Sequence, residues 1–340
     1  MSLVYAPIEP PAPGAALEIQ PGLFWVRMPL PFPPDHINLW LIADGAAGFA
    51  IVDTGLHRDD TKAHWRAAIG ERQISRVICT HFHPDHMGLA GWLCAQYGVE
   101  LWTTLGEYYT ARAVHAQGND ADIAHKVSFY AANGVAADAM GQFASPQNIY
   151  RRGVPDLPPF YRRIQGGQAL GIGAETWLPI IGRGHCPEHA CLSSAVRNVL
   201  VGGDILLPRI TPNIGVWPAE PMADPLRDYL ACLDGFADLP SDVLVLPAHG
   251  QPYTGVQARI ADIRAHHEER LAKLLAAFAE TPAGLSAVDC FPLLFRREIG
   301  PHNVGLAVGE ALAHLHLLES RGTARRTRDA KGVWRFSAGA

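Results

Sequence analysis

Along residues 17–30 and 38–44 apolar positions alternate with polar ones or carry β-branched and aromatic side chains, which predicts strands of a sheet. Residues 48–55, GFAIVDTG, add a third strand ending in a turn, and 57–69 read as a first outer helix. The short apolar run at 76–79 predicts a buried strand, and 84–97 a helix with proline in its first turn. After one more strand at 99–103 the period changes. Helical pieces at 107–116 and 120–133 lead into the loop-like run ASPQNIYRRGVPDLPPFYRR, so about 106–168 form a helical insertion. A segment that long between sheet elements is more often functional or lid-like than idle; the plain alternative is a cover for one face. The sheet pattern resumes at Ala169, with an apolar strand NVLVGGDIL ending at Asp204 and VLVLPAHGQP at 243–252.

From 257 the chain turns helical, with alanine, leucine and i, i+4 charge pairs up to 280. LSAVDCFPLLF, NVGLAVGEALAHLHLLESRG and TARRTRDAKGVWRFS then predict two short helices and a two-stranded basic ribbon, the order of a winged helix-turn-helix. The expected domains are 1–255 and 256–340. His314 and His316 lie two apart on a helix, do not share a face and make poor ligands. Arg325, Arg326, Arg328, Lys331 and Arg335 on the ribbon invite a nucleic-acid reading, against a solvated hairpin on a structural domain, which we place first.

The densest chemistry lies between the strand at 76–79 and the following helix. THFHPDHMG, residues 80–88, sets three histidines and an aspartate within six positions. Strand alternation sends His81 and His83 to the same side, where both can reach one ion. Asp85 and His86 turn away with the helix and can hold a second ion, in a pair of the kind typically about 3.5–4 Å apart. Four ligand-type side chains in six positions are hard to explain as packing.

Composition changes this picture little. With 48% hydrophobic and 18% charged residues among 340, the chain can bury a sizeable core, and a net charge of −5 gives no global basic field for nucleic acid or anionic membrane. Six cysteines make no C-x-x-C pair, and the N-terminus lacks a basic region followed by an apolar core; both suggest a cytoplasmic protein with reduced thiols. Cys79 and Cys186 flank ligand candidates, but small buried packing suits them better than zinc binding. No apolar run reaches the length of a membrane span.

His-x-His-x-Asp-His after a strand resembles the signature of the metallo-β-lactamase superfamily. The resemblance extends in order from about residue 17 to 255 and implies an α/β fold, an αββα sandwich of two sheets between helices. HINLWLIAD followed by AIVDTG resembles its start, where Asp53 would lie beneath the metals and orient ligands through hydrogen bonds. GRGHCPEHA resembles the stretch that supplies the third ligand of the first metal, a role carried to His185, with His189 a support and Glu188 standing where glycine is usual. Asp204 would bridge the ions and His249 would complete the second set. The resemblance thus implies His81, His83 and His185 on one ion, Asp85, His86 and His249 on the other, and Asp204 between them. The complete second set separates the chain from sulfur dioxygenases of the same superfamily, which use a single iron.

The cofactors expected are two divalent ions, with nitrogen and carboxylate donors suiting zinc, and manganese or iron as alternatives. No organic cofactor is expected. Ions of this kind lower the pKa of water to about 7, so a bridging hydroxide can attack a carbonyl whose oxygen a metal polarises. Asp85, together with Asp53 the catalytic candidate, takes the transferred proton. The leading reading is therefore a metal-dependent hydrolase of thioesters, esters or lactones. Thioesters come first because the layout resembles hydroxyacylglutathione hydrolases, although their glutathione-binding tail is not recognisable. The alternative is a nucleic-acid-directed protein, an endoribonuclease or a winged-helix binding module.

The partner expected is a small-molecule substrate, an anionic acyl thioester foremost, with no membrane and with homodimer assembly left open. In the insertion, Tyr150, Phe160 and Tyr161 could cover an acyl chain while Arg151, Arg152, Arg162 and Arg163 pair with a carboxylate or phosphate.

Overall fold

The computed structural model describes residues 2–339. Two seven-stranded sheets form the architecture of the first compact unit, which comprises 1–116, 149–212 and 232–260. The first sheet runs in space through Ala16–Gln20, Leu23–Pro29, His36–Ala43, Phe49–Val52, Ile74–Ile78, Leu101–Thr103 and Arg162–Arg163. The second orders Val4–Tyr5, Tyr253–Thr254, Leu244–Pro247, Val199–Gly203, His189–Ser194, Glu175–Gly182 and Leu170–Ile172.

Strand alternation explains why both faces of the first sheet are apolar. On His36–Ala43, Ile37, Leu39 and Leu41 join a core with Trp65, Ile69 and Leu93 from the helices Asp59–Ile69 and Ala90–Tyr97. Trp40 and Ile42 point the other way, into a core shared with Trp177, Leu192, Val201 and Leu246 of the second sheet. Sheet faces sheet, and helices cover the outside, as the αββα pattern requires.

Most strands and helices follow the sequence pattern, but the run 144–163 expected as a loop contains the helix Ile149–Gly153 and the strand Arg162–Arg163. The helix expected at 84–97 is two helices, Pro84–Met87 and Ala90–Tyr97. Here the chain passes so close to its neighbours that a Cβ on Gly88 would stand 2.6 Å from Gly55 O and 2.8 Å from His57 N. Leu89 N–H donates to Thr54 Oγ1 at 3.0 Å, a tertiary bond at the break.

The second unit gathers 117–148, 213–231 and 261–340. Part of the expected insertion therefore packs with the C-terminal region, whereas the helices Leu105–Ala116 and Ile149–Gly153 stay with the sheets. A long helix, Val256–Glu280, leads into this unit, where the helix Val304–Ser320, buried along 311–318, and the ribbon Ala324–Arg328 with Trp334–Ala338 follow. His314 and His316 are buried there: His314 Nδ1–H donates to Glu310 O at 2.8 Å and His316 Nδ1–H to Ala223 O at 2.7 Å. Among the described residues no helix is long and apolar enough to cross a membrane, and the six cysteines are free thiols.

Candidate metal centre

Five strand ends converge. Phe49–Val52 delivers Asp53, Ile74–Ile78 the segment from His81 to His86, Glu175–Gly182 His185, Val199–Gly203 Asp204, and Leu244–Pro247 His249. The seven ligand candidates fall into two groups. His81, His83, His185 and Asp204 form one; Asp85, His86 and His249 form the other. Within the first, His83 Nδ1 and His185 Nε2 lie 2.9 and 3.3 Å from His81 Nε2. Nitrogens sharing one ion at about 2.0–2.1 Å stand roughly 3.3 Å apart in a tetrahedron, so this spacing fits a metal.

Asp204 faces both groups with different oxygens. Its Oδ2 is 3.3 Å from His185 Nε2, and its Oδ1 is 3.4 Å from His249 Nε2 and 3.6 Å from His86 Nε2. Asp85 Oδ2 closes the second group at 3.5 Å from His249 Nε2 and 3.7 Å from His86 Nε2. His86 Nε2 and Asp204 Oδ1 are buried without a hydrogen-bond partner, a costly state that a cation between them would relieve.

The electrostatics agree. Burial and neighbouring imidazoles hold His81 and His83 well below the usual histidine range, neutral and able to offer a lone pair. Burial also acts downward on His86, but Asp53, Asp85 and Asp204 outweigh it and raise the ring to about 10. Burial would raise Asp204, yet His249, His86 and His185 keep it well below the carboxylate range. The cluster therefore carries ionised carboxylates whose charge favours cations.

Orientation comes from the far side of each ring. Asp53 accepts from His86 Nδ1 at 2.8 Å and from Thr80 N–H at 2.7 Å, which directs His86 Nε2 into the site. Its own backbone is left-handed, with φ 61°, a conformation aspartate tolerates better than most residues. His249 Nδ1–H donates to His36 O at 2.7 Å, and the His36 ring accepts Gly250 N–H at 2.8 Å. Buried Asn38 donates to Pro247 O at 2.9 Å and Gly250 O at 2.8 Å while accepting Trp25 Nε1–H at 2.9 Å. His36 and Asn38 thus shape the turn that presents His249, and neither stands out in the sequence pattern.

His189 stays outside the ligand groups: its Nε2 accepts Asp204 N–H at 3.2 Å, and its ring stacks on His81 with centroids 4.8 Å apart. Burial pushes it down to about 3, so it is a neutral support. Cys79 and Cys186 are buried thiols outside both groups, raised well above the usual range by burial. A further residue that the sequence pattern does not single out is Glu107, fully buried, which burial raises to about 7 despite backbone N–H groups from Glu188 and Phe82.

The insertion requires a correction. Tyr150 does not cover substrate: it is buried, and its hydroxyl donates to Phe82 O at 2.8 Å. Arg151 donates to His115 O and Arg162 pairs with Glu100 at 2.7 Å, so both have internal partners. Phe160, Arg152 and Arg163 are exposed, and Tyr161 stacks on Tyr108.

The Metallo-beta-lactamase superfamily model matches residues 32–249, and a model described as Metallo-beta-lactamase-like, C-terminal domain matches 271–339. The chain is 40% identical to a beta-lactamase domain protein from Burkholderia ambifaria over 99% of this chain and 98% of that one, with a TM-score of 0.91. A metallo-beta-lactamase family protein from Thermus thermophilus is 26% identical, with a TM-score of 0.78 over 94% of this chain and all of that one. A Bacillus subtilis (strain 168) protein described as "Probable metallo-hydrolase YqjP" is 24% identical over 87% of this chain and 91% of its own length. With a family model spanning well over half of its length, this chain belongs to the metallo-beta-lactamase superfamily, as a metal-dependent hydrolase.

Proposed function

We propose that the protein hydrolyses a carbonyl substrate, a thioester, ester or lactone, with two divalent cations held side by side. One observation carries this reading: Asp204 turns Oδ2 to one histidine group and Oδ1 to the other. His81, His83 and His185 would hold the first ion, Asp85, His86 and His249 the second, and Asp204 would span them. Donors without thiolate suit zinc. When bound, the cations supply a water of pKa near 7 and a Lewis acid for the carbonyl oxygen.

The chain's own residues do the rest. Asp53 and His36 O fix the tautomers of His86 and His249. Asp85, the more exposed of the two site carboxylates, takes the proton released as the tetrahedral species forms and returns it to the leaving group. Exposed Phe160 and Arg163, with Tyr161 close to both in sequence, support an acyl group with an anionic handle as the substrate, foremost an anionic thioester.

The C-terminal helices and ribbon are read as a winged-helix-like structural domain. Its cations are largely engaged: Arg335 pairs with Asp289 and Asp329, Arg326 with Glu319, and Arg328 lies 4.3 Å over Trp334. That supports a structural role over nucleic-acid binding.

The test is metal analysis of zinc-reconstituted protein, followed by a panel of thioesters, lactones, β-lactams, phosphodiesters and single-stranded RNA. Two ions per chain and turnover of a carbonyl substrate are expected. One ion or fewer at excess zinc would overturn the dinuclear assignment, and cleavage confined to RNA or phosphodiesters would overturn the substrate class.

A further inference from the structure

Phe82 lies between the ligands His81 and His83, and side chains from elsewhere hold both polar groups of its backbone. Its N–H donates to Glu107 Oε2 at 2.9 Å, and its carbonyl accepts from Tyr150 OH at 2.8 Å. The other carboxylate oxygen, Glu107 Oε1, accepts Glu188 N–H at 2.7 Å in the loop that carries His185. That loop is tied twice more to the same place: Glu188 O accepts from Thr104 Oγ1 and Glu188 Oε2 from Gly106 N–H, each at 2.8 Å. Glu107 is fully buried and Tyr150 nearly so.

We propose that Glu107, assisted by Tyr150, is a positioning residue that sets the spacing between the His81–His83 loop and the His185 loop. The proposal rests on the two-ion reading and adds to it how the first ion's ligands are kept apart before any ion binds.

A buried carboxylate is retained only where its oxygens are matched by donors, and here each oxygen meets one backbone N–H from a different ligand loop. Glutamine has a single acceptor oxygen, so its amide nitrogen would face one of those N–H groups. Aspartate, shorter by one methylene, cannot span both loops from the same backbone. The carboxylate is a two-ended brace, and Tyr150 fixes the remaining freedom of the Phe82 peptide.

Two measurements on the full-length protein test this. In metal-stripped protein, amide hydrogen exchange at Phe82 and Glu188 should speed up by about tenfold in E107Q, the loss of roughly one hydrogen bond, with the rest of the first sheet unchanged. Cobalt titration should then show E107Q weakening the ion bound in an H249A background by about 10- to 100-fold, with little effect in an H83A background. Y150F should give a smaller change of the same pattern, and it serves as the probe if E107Q does not fold. Unchanged exchange at both amides, or equal weakening in both backgrounds, would overturn the brace. Fewer than two ions on the wild-type protein would instead count against the two-ion reading, while the exchange result still decides the brace.

Discussion

Asp53 Oδ2 stands 2.8 Å from His86 Nδ1, and both side chains are buried. This holds one proton of His86 on the side away from the ligand candidates, so a cation that displaces the second ring proton would find the Nε2 lone pair. Asp53→Asn preserves shape and tolerates the left-handed backbone, but its amide can donate to Nδ1 and so reverse the tautomer. We expect the ion held by Asp85, His86 and His249 to bind about 10- to 100-fold more weakly. Zinc titration against a competing chromophoric chelator reads this directly. An unchanged affinity would mean that Asp53 only ties Thr80 to the sheet.

Asp204 belongs to one group of ligand candidates and faces the other, with Oδ1 3.4 Å from His249 Nε2, so Asp204→Ala should remove more than one site's worth of metal. Expected are loss of hydrolysis, less than one ion per chain, and a retained circular dichroism spectrum, because the residue lies beyond a strand end and outside both apolar cores. Unfolded or insoluble protein would indicate that metal is needed mainly for folding.

The ligand candidates are legible in the sequence because histidine and aspartate at five strand ends are chemically conspicuous, and the strands themselves repeat every second residue. Their supports are not. Glu107 in the first turn of a helix looks like an ordinary acid favoured by the helix dipole, and its partners Phe82 and Glu188 lie 25 and 81 positions away. Asn38 meets Pro247 and Gly250 across more than 200 positions, which no local period encodes. Tyr150 misleads for the same reason: beside two arginines it resembles a binding face, whereas burial against Phe82 is a tertiary fact. The split of the 84–97 helix follows from backbone contact at Gly88, which helix propensity does not register.

Gly203 offers a test of the histidine support. Its φ is 51°, and an added Cβ would collide with Cε1 and Nε2 of His189. Gly203→Ala should therefore destabilise the protein by on the order of 2–4 kcal/mol, from backbone strain and overpacking together. Thermal unfolding of metal-free protein measures it. Adding His189→Ala should recover the packing part but not the strain, so a fully additive double mutant would refute the collision.

His314 predicts how acid acts on the C-terminal unit. Its Nδ1–H donates to Glu310 O, and its Nε2 lies 3.2 Å from His267 Nδ1, with His266 and the Arg270–Glu310 ion pair close by. Burial lowers its pKa from 6.5 to about 3, with Arg270 and His266 acting the same way. In the unfolded chain the ring titrates near 6.5, so between that value and about 3 the unfolded state binds the extra proton. The contribution is fully present above pH 6.5 and is lost as pH falls toward 3, at up to about 1.4 kcal/mol per pH unit for one group. Denaturant unfolding of the full chain from pH 7.5 to 5, followed by tryptophan fluorescence and by exchange at 304–320, should show stability falling as acid is added. In His314→Gln, which cannot titrate, the slope should shrink by about one proton's worth. An equal slope in the variant would assign the acid sensitivity to other groups, foremost the buried histidines His81 and His83.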